Sequence, residues 1–187
     1  MRSSVLIFLC VVFACGSITV HAQVVPSATS GPFSLSVGGE GSAFQPDYAG
    51  SGFAESSSVL AGVGAYIDVR FARWVQIEAE GHWLHVNEYY PPYSTVGIDE
   101  NTYMIGPRIP IHTYFRRLTP YGKALFGWGS GSFLTGRASA MAFGGGADYQ
   151  LSRHFTLRAG DFEYQRWSVT PTLHPYGGSV GLSYRIF

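Results

Sequence analysis

The feature that most constrains this chain is an alternation of apolar and polar side chains that recurs from residue 33 to residue 187. Residues 74–84 illustrate it, because one face carries apolar side chains or glycine and the other carries polar ones: Val75, Ile77, Ala79, Gly81 and Trp83 against Gln76, Glu78, Glu80 and His82. A two-residue period is that of a β-strand with two unlike faces. Segments of this kind lie at residues 33–44, 59–71, 74–87, 101–114, 120–130, 138–151, 154–166 and 176–186. The chain is therefore predicted to be all-β, with eight strands.

The connections between these segments alternate between long and short. Long segments rich in Ser, Gly, Pro and Tyr lie around residues 45–58, 88–100, 131–137 and 167–175, and tight ones lie near residues 72, 117 and 153. Up-and-down hairpins produce this rhythm when one end of a barrel carries turns and the other carries loops. The predicted fold is an antiparallel up-and-down barrel with both ends of the chain on the short-turn side.

Composition and hydropathy bear on the surroundings of such a barrel. Charged residues make up only 13% of the chain, aromatic residues make up 16%, and the formal net charge is zero. The net charge removes the bulk electrostatic argument for nucleic-acid binding. Beyond residue 22 no run of 18 apolar residues occurs, so no transmembrane helix is predicted. Without helices, only a closed barrel could pair every backbone group within lipid.

The period alone does not say which face lies inside, but the aromatic residues favour an apolar face turned to lipid. They cluster near the strand ends, as two girdles would: Trp74, Trp83, Trp128, Tyr149, Phe155 and Trp167. Trp74 and Trp83 are nine residues apart, which at ~3.3 Å per residue and ~40° tilt spans roughly 23 Å, close to the ~25 Å apolar band of membrane barrels. The barrel is therefore predicted to be transmembrane.

The N-terminus has the three parts of a secretory signal peptide. Arg2 is followed by an apolar stretch at residues 5–14 and by Val20-His21-Ala22, which predicts cleavage after Ala22. This gives a signal peptide at residues 1–22, a lead segment at 23–32 and the barrel at 33–187. A lipid-anchored Cys15 within VFAC is the alternative.

The chain resembles small eight-stranded outer-membrane barrels of the OmpA/OmpX type. The resemblance rests on the strand count, the loop rhythm, the signal peptide and the ending Tyr184-Arg185-Ile186-Phe187. It implies the outer membrane of a Gram-negative-type bacterium, a monomer in contact with lipid and lipopolysaccharide, and Tyr184 and Phe187 as a signal for the barrel-assembly machinery. Phe187 departs from the pattern, because it lies one residue out of phase with the alternating residues before it.

On the outward-apolar interpretation, the lumen receives charged and polar side chains of both signs: Asp68, Arg70, Glu78, Glu80, His82, Arg108, Lys123, Asp148, Arg158 and Arg185. An eight-stranded barrel is only wide enough for side chains to fill. Buried charges need partners, so an internal ion-pair network is expected. Asp161 and Phe162 interrupt the phase of their strand, which indicates a β-bulge.

No catalytic, cofactor or metal site is predicted. His82 and His85 point to opposite faces of one strand, and although either could be combined with Glu80 or Glu88, no defensible nucleophile–base spacing occurs. The predicted role is structural, or one of surface interaction through the Tyr- and Pro-rich residues 88–100. Three alternatives remain: a narrow diffusion pore, a lipid A-modifying barrel enzyme, and a soluble lipocalin-like exported barrel with Ile77, Trp83 and Phe143 inside.

Overall fold

The computed structural model describes residues 33–48, 58–72, 74–90, 94–111, 117–132 and 134–187, and within them the chain forms one closed antiparallel barrel. Its strands are β1 (Ser34–Gln45), β2 (Leu60–Ala72), β3 (Val75–Tyr90), β4 (Ser94–Pro110), β5 (Leu118–Gly131), β6 (Ala138–Gln150), β7 (Phe155–Trp167) and β8 (Tyr176–Arg185). The eight-stranded up-and-down prediction is confirmed. The signal peptide predicted at residues 1–22 and the lead segment at 23–32 lie outside the described residues.

The barrel closes between its first and last strands. β1 pairs antiparallel with β8 from Ser36↔Arg185 to Gln45↔Tyr176. The pairing continues past β8, because the Leu35 amide donates to the Phe187 carbonyl at 3.1 Å and the Ile186 amide donates to the Leu35 carbonyl at 2.8 Å. The last residues of the chain are thus part of the wall.

The apolar face of the strands is the outer face. Ile77, Trp83 and Phe143 are 39%, 41% and 51% exposed, whereas Glu78 and His82 are fully buried in the lumen. This is the reverse of a lipocalin-like arrangement, so that alternative is wrong. No helix among the described residues is long and apolar enough to cross a membrane.

A bulge in β7 changes which residues face the lumen. The register shifts between Arg158 and Asp161 in the pairing with β8. Before the bulge the inward residue has an even number, and after it the inward residues are odd-numbered: Asp161, Glu163, Gln165 and Trp167. The phase interruption predicted at Asp161 is therefore confirmed, and it has a consequence for Trp167 described below.

The long loop predicted at residues 88–100 is mostly strand, which corrects both the loop and the predicted strand at 101–114. β3 pairs with β2 only as far as His85, and β4 pairs with β5 only from Glu100 onward. Beyond these points β3 and β4 pair with each other up to Tyr90↔Ser94. We call this two-stranded extension, residues 86–90 and 94–99, the ribbon.

Candidate functional site

Arg158 is at the centre of the lumen and is fully buried. Its guanidinium donates to Glu78 at 2.6 Å, to Glu40 at 3.1 Å and to Asp161 at 3.2 Å. The same group lies over the Tyr66 ring, 3.5 Å from the ring centroid. Gly38 leaves the room for this ring, because a Cβ there would lie 2.4 Å from the Tyr66 Cζ. The cation is thus enclosed by carboxylates on one side and an aromatic face on the other.

Lys123 extends the same network towards β7. Its Nζ donates to Glu80 at 2.7 Å and to Glu78 at 3.0 Å, and it also contacts Asp161 and Glu163. All of these side chains are almost completely buried. Glu78 joins Lys123 to Arg158, so the two cations and their carboxylates form one cluster that fills the middle of the lumen.

Arg108 forms the lower end of this cluster. It donates to Asp68 at 2.8 Å and to Asp148 at 2.5 Å, and its guanidinium lies 3.6 Å from the Tyr121 ring centroid. Below it, towards the short connections, Arg70 and Arg185 are half-buried. The ten residues predicted for the lumen therefore all lie on the inner face, eight of them in contact with the network and Arg70 and Arg185 at one end of it.

Three carboxylates of the network were missing from the predicted set: Glu40, Asp161 and Glu163. Glu40 lies on β1, where the even-numbered residues Glu40, Ser42 and Phe44 face inward. Glu40 stands between Gly39 and Gly41, and this alternation is the sequence signal that could have placed the Glu40 side chain in the lumen. Asp161 and Glu163 follow the β7 bulge, so their side could be assigned only after the shift in phase was placed.

The opposite end of the lumen is closed by apolar side chains. Residues from seven strands and from the segments after β1 and β7 form one buried cluster, which we call the plug: Phe44, Leu60, Leu84, Ile98, Met104, Leu125, Trp167 and Leu173, with Tyr48 and three alanines of β6. Tyr48 donates to Glu100 at 2.9 Å within it. Apolar side chains thus fill the lumen on the loop side, above the charged cluster.

Trp167 belongs to this plug and not to an aromatic girdle, which corrects the sequence prediction. It is 1% exposed, and its indole donates to Gln165 at 2.9 Å. The β7 bulge is the cause, because it turns the odd-numbered residues after it inward. Gly129 on β5 makes space for the ring, since a Cβ at that position would lie 2.4 Å from the Trp167 Cη2.

The other five predicted girdle residues lie on the outer surface: Trp74, Trp83, Trp128, Tyr149 and Phe155. On the loop side, Trp83 donates to the Tyr103 hydroxyl at 2.9 Å, and the Tyr103 and Trp128 ring centroids are 6.0 Å apart. These three side chains form a continuous aromatic row around part of the barrel. We take the row as the outer limit of the membrane-crossing strands.

The contacts of His82 and His85, the two histidines weighed in the sequence, are with acceptor groups. His82 Nε2 lies 2.7 Å from Glu40 Oε1, inside the charged cluster. His85 lies on the outside of β3, where Nδ1 is 2.7 Å from Asp99 Oδ1 and Nε2 is 3.2 Å from Asn87 Oδ1. Both ring nitrogens of His85 are therefore occupied by acceptors rather than by a nucleophile. The Asp99 contact stabilises the protonated ring and raises the pKa of His85.

Among the described residues, two groups of side chains have donor atoms close enough together to hold a cation. They are Glu40, Glu80 and His82, and Glu78, Glu80 and Asp161, each with ligand atoms within 4.8 Å of one another. Lys123 already contacts all three carboxylates of the second group. The protein's own cations therefore neutralise these carboxylates, and the geometry gives no reason to place a metal ion among them.

Comparison with known proteins gives a family match and several fold matches. The model of the family "Outer membrane protein beta-barrel domain" matches residues 8–185. The barrel is similar to Ail, the attachment invasion locus protein of Yersinia pestis, at 16% identity and a TM-score of 0.51, over 84% of this chain and 100% of that one.

Two further solved structures are similar to the barrel. Neisserial surface protein A matches at 12% identity and a TM-score of 0.57, over 80% and 96% of the two chains. OprG from Pseudomonas aeruginosa matches at 11% identity and a TM-score of 0.55, over 83% of this chain and 97% of that one. At these identities the similarity shows the fold alone. No curated protein matches the chain.

Proposed function

Because the chain belongs to the outer membrane β-barrel family, we propose that it is a structural barrel of the outer membrane that presents the ribbon at the cell surface and conducts nothing through its lumen. The observation that carries this proposal is the filling of the lumen. Charged side chains close its middle and apolar side chains close its loop end. What the barrel can offer to a partner is therefore its outer rim.

The filled lumen argues against the narrow-pore alternative. A conducting path needs polar groups that water can reach, and an apolar constriction excludes water. Leu60, Ile98 and Leu125 are completely buried in the plug, and below them the charges of Lys123 and Arg158 are satisfied by carboxylates. An ion would have to displace both layers.

Planar-bilayer recording tests this part of the proposal. The refolded barrel should show no stable conductance steps in 1 M KCl, while a larger porin reconstituted in the same way provides the positive control. Reproducible steps of one size, abolished when the barrel is unfolded before reconstitution, would contradict a sealed lumen.

The ribbon is the surface best placed for interaction. Ile98 of the ribbon belongs to the plug and Val86 packs against it, whereas Val96 is exposed. The ribbon extends beyond the last pair of β3 with β2, at His85, and beyond the first pair of β4 with β5, at Glu100. Strands at the rim of a sheet are a recurrent docking place for extended segments of partner proteins. We propose a protein partner that docks there.

Cysteine labelling tests the orientation that this role requires. The two cysteines of the chain, Cys10 and Cys15, lie within the proposed signal peptide, so in the mature protein Val96→Cys in the ribbon and Ser152→Cys in the β6–β7 connection each introduce a single thiol. A membrane-impermeant maleimide should label Val96→Cys in intact cells and Ser152→Cys only after the outer membrane is opened. Labelling of Ser152→Cys alone in intact cells would contradict the proposal.

The remaining parts of the proposal concern export and assembly. We propose cleavage of the signal peptide near Ala22, insertion by the barrel-assembly machinery through Tyr184 and Phe187, and a monomer in contact with lipopolysaccharide. Mass measurement of the mature protein tests the cleavage, and a mass that retains residues 1–22 would exclude it.

We propose that the barrel is not an enzyme. His85 lies near the level of the outer lipid headgroups, but its nitrogens contact Asp99 and Asn87. Lipid A mass spectra should be the same with and without the protein. Loss or gain of an acyl chain that depends on His85 would assign an enzyme.

A further inference from the structure

The short-connection end of the barrel contains a polar cavity of about 210 Å³. Its walls come from all eight strands, and its charged members are Asp68, Arg70, Arg108, Arg117, Asp148 and Arg185. The charged cluster and the plug close the lumen above it. A dissolved ligand therefore reaches the cavity only from the side of the short connections.

The charges of this cavity do not balance. Four arginines face two aspartates, which leaves a formal surplus of two positive charges. Both aspartates are already paired, because Arg108 donates to Asp68 and Asp148 at the closed inner end of the cavity. In the part of the chain that the structure describes, Arg70, Arg117 and Arg185 form no ion pair.

Two of these guanidinium groups are positioned but not neutralised. The Gln76 amide is oriented so that its oxygen faces donors and its nitrogen faces acceptors. In this orientation the oxygen accepts from Arg70 Nε at 2.9 Å and from Arg70 Nη2 at 2.8 Å. Gln76 is itself buried. The buried Nε of Arg185 has no hydrogen-bond partner among the described residues. An unsatisfied donor on a charged group is costly, and an acceptor anion would satisfy it.

We propose that this cavity binds a small multivalent oxyanion of the phosphate type, dissolved in the aqueous phase on the short-connection side. Guanidinium groups match the geometry of phosphate oxygens and form short charge-assisted hydrogen bonds with them. A dianion neutralises the whole surplus, whereas a monocarboxylate neutralises half of it. The volume equals that of about seven waters, well below the ~300 Å³ at which cavities for drug-sized ligands begin.

Calorimetric titration of the refolded barrel with inorganic phosphate tests the assignment. In a phosphate-free nonionic detergent at low ionic strength, phosphate should bind saturably with one site per barrel. The double variant Arg117→Gln/Arg185→Gln should raise the Kd for phosphate at least tenfold. Arg117 lies just before the start of β5, and Arg117→Gln alone should raise the Kd at least threefold. Acetate should bind at least tenfold more weakly than phosphate.

Arg153→Gln is the matched control, because Arg153 lies in the β6–β7 connection at the same end of the barrel but does not line the cavity. It should change the Kd less than twofold. Equal weakening by Arg153→Gln, or no saturable binding to the wild-type barrel, would overturn the proposal. Dodecylphosphocholine carries a phosphate-containing headgroup, so loss of phosphate binding in its micelles would assign the site to lipid headgroups. That result would overturn the proposal that the ligand is a dissolved anion. Circular dichroism and heat-modifiable gel mobility confirm that each variant is folded.

Discussion

Lys123 shows how single charged residues are accommodated deep inside this barrel. Removing an ammonium group from water costs several kcal/mol even after relaxation, unless nearby charges and hydrogen bonds compensate. Lys123 is surrounded by Glu78, Glu80, Asp161 and Glu163, all of which lie on the inner face. Lys123 and these carboxylates therefore offset each other's cost of burial. Loss of the cation leaves several buried negative charges that repel one another.

Replacement of Lys123 by methionine should destabilise the barrel by about 3–5 kcal/mol, the usual cost of breaking a buried ion pair on one side. Urea unfolding in detergent micelles measures it. The control, Arg153→Met, removes an exposed cation and should stay within ~0.5 kcal/mol of wild type. A Lys123→Met barrel as stable as wild type would show that the network contributes nothing.

Gly129 is the residue on which the packing of the plug depends most directly. A methyl group at Gly129 would lie 2.4 Å from the Trp167 Cη2, and a rigid ring cannot move aside without disturbing its neighbours. Gly129→Ala should cost ~1–3 kcal/mol, as overpacking does, and should alter the near-ultraviolet circular dichroism.

Gly41→Ala is the control for this change, because a Cβ at Gly41 meets nothing within 4 Å. It should leave both stability and spectrum unchanged. An identical response of the two alanine variants would mean that Trp167 does not occupy the position beside Gly129.

At the scale of the elements, β7 and the ribbon mark the limits of sequence analysis. Alternation assigned the faces of β2 and β3 correctly, because no bulge interrupts their central parts. In β7 the bulge reverses the alternation, so Trp167, which its position near a strand end assigned to a girdle, faces the lumen. The ribbon was predicted as a loop because Pro91, Pro92 and several polar residues hide its period.

The base of the ribbon should respond to pH through His85, which is the pairing partner of Asp99. The folded ribbon favours protonated His85 through Asp99, which raises the pKa of His85 above its ordinary value. The stabilisation is thus complete below ~6.5, the unperturbed value, and is lost as the pH rises through the raised pKa. Proton NMR of the imidazole should show this raised pKa, and Asp99→Asn should lower it.

Glu88→Gln is the control for this titration, because Glu88 lies on the other face of the ribbon and contacts Ser58. It should leave the pKa of His85 unchanged. An unchanged pKa in Asp99→Asn would contradict the contact between His85 and Asp99.

For the whole molecule, the sequence predicted the architecture, the membrane-facing surface and most of the charged cluster. It did not predict the plug. Period analysis assigns one polar face to each strand, but the lumen changes from charged to apolar along its length. Leu60, Leu84 and Leu125 therefore stand on faces that the pattern assigns to polar residues. Only the closed geometry brings these side chains together.

Phe187 takes part in the closure of the barrel, and the proposed assembly signal gives it a second role that can be tested separately. Its ring stacks on Phe33, with centroids 5.5 Å apart. Phe187→Ala and Phe33→Ala both remove this stack, which is worth ~0.5–1.5 kcal/mol to the refolded barrel, and Phe33→Ala should cost at least as much because it also removes the ring contact with Phe71. Only Phe187→Ala should strongly reduce the amount inserted in cells, measured by membrane fractionation. Equal insertion of the two variants would show that Phe187 is not an assembly signal.

Quenching of single tryptophans by brominated lipid tests most directly the claim that an apolar outer face surrounds a sealed interior. Trp74, Trp83 and Trp128 are 71%, 41% and 44% exposed on the outer face, whereas Trp167 is 1% exposed in the lumen. Four variants, each retaining one tryptophan and carrying phenylalanine at the other three positions, are reconstituted in vesicles with brominated acyl chains. Emission from the first three should be strongly quenched, and emission from Trp167 should be nearly unaffected. Strong quenching of Trp167, or none of the other three, would contradict the account.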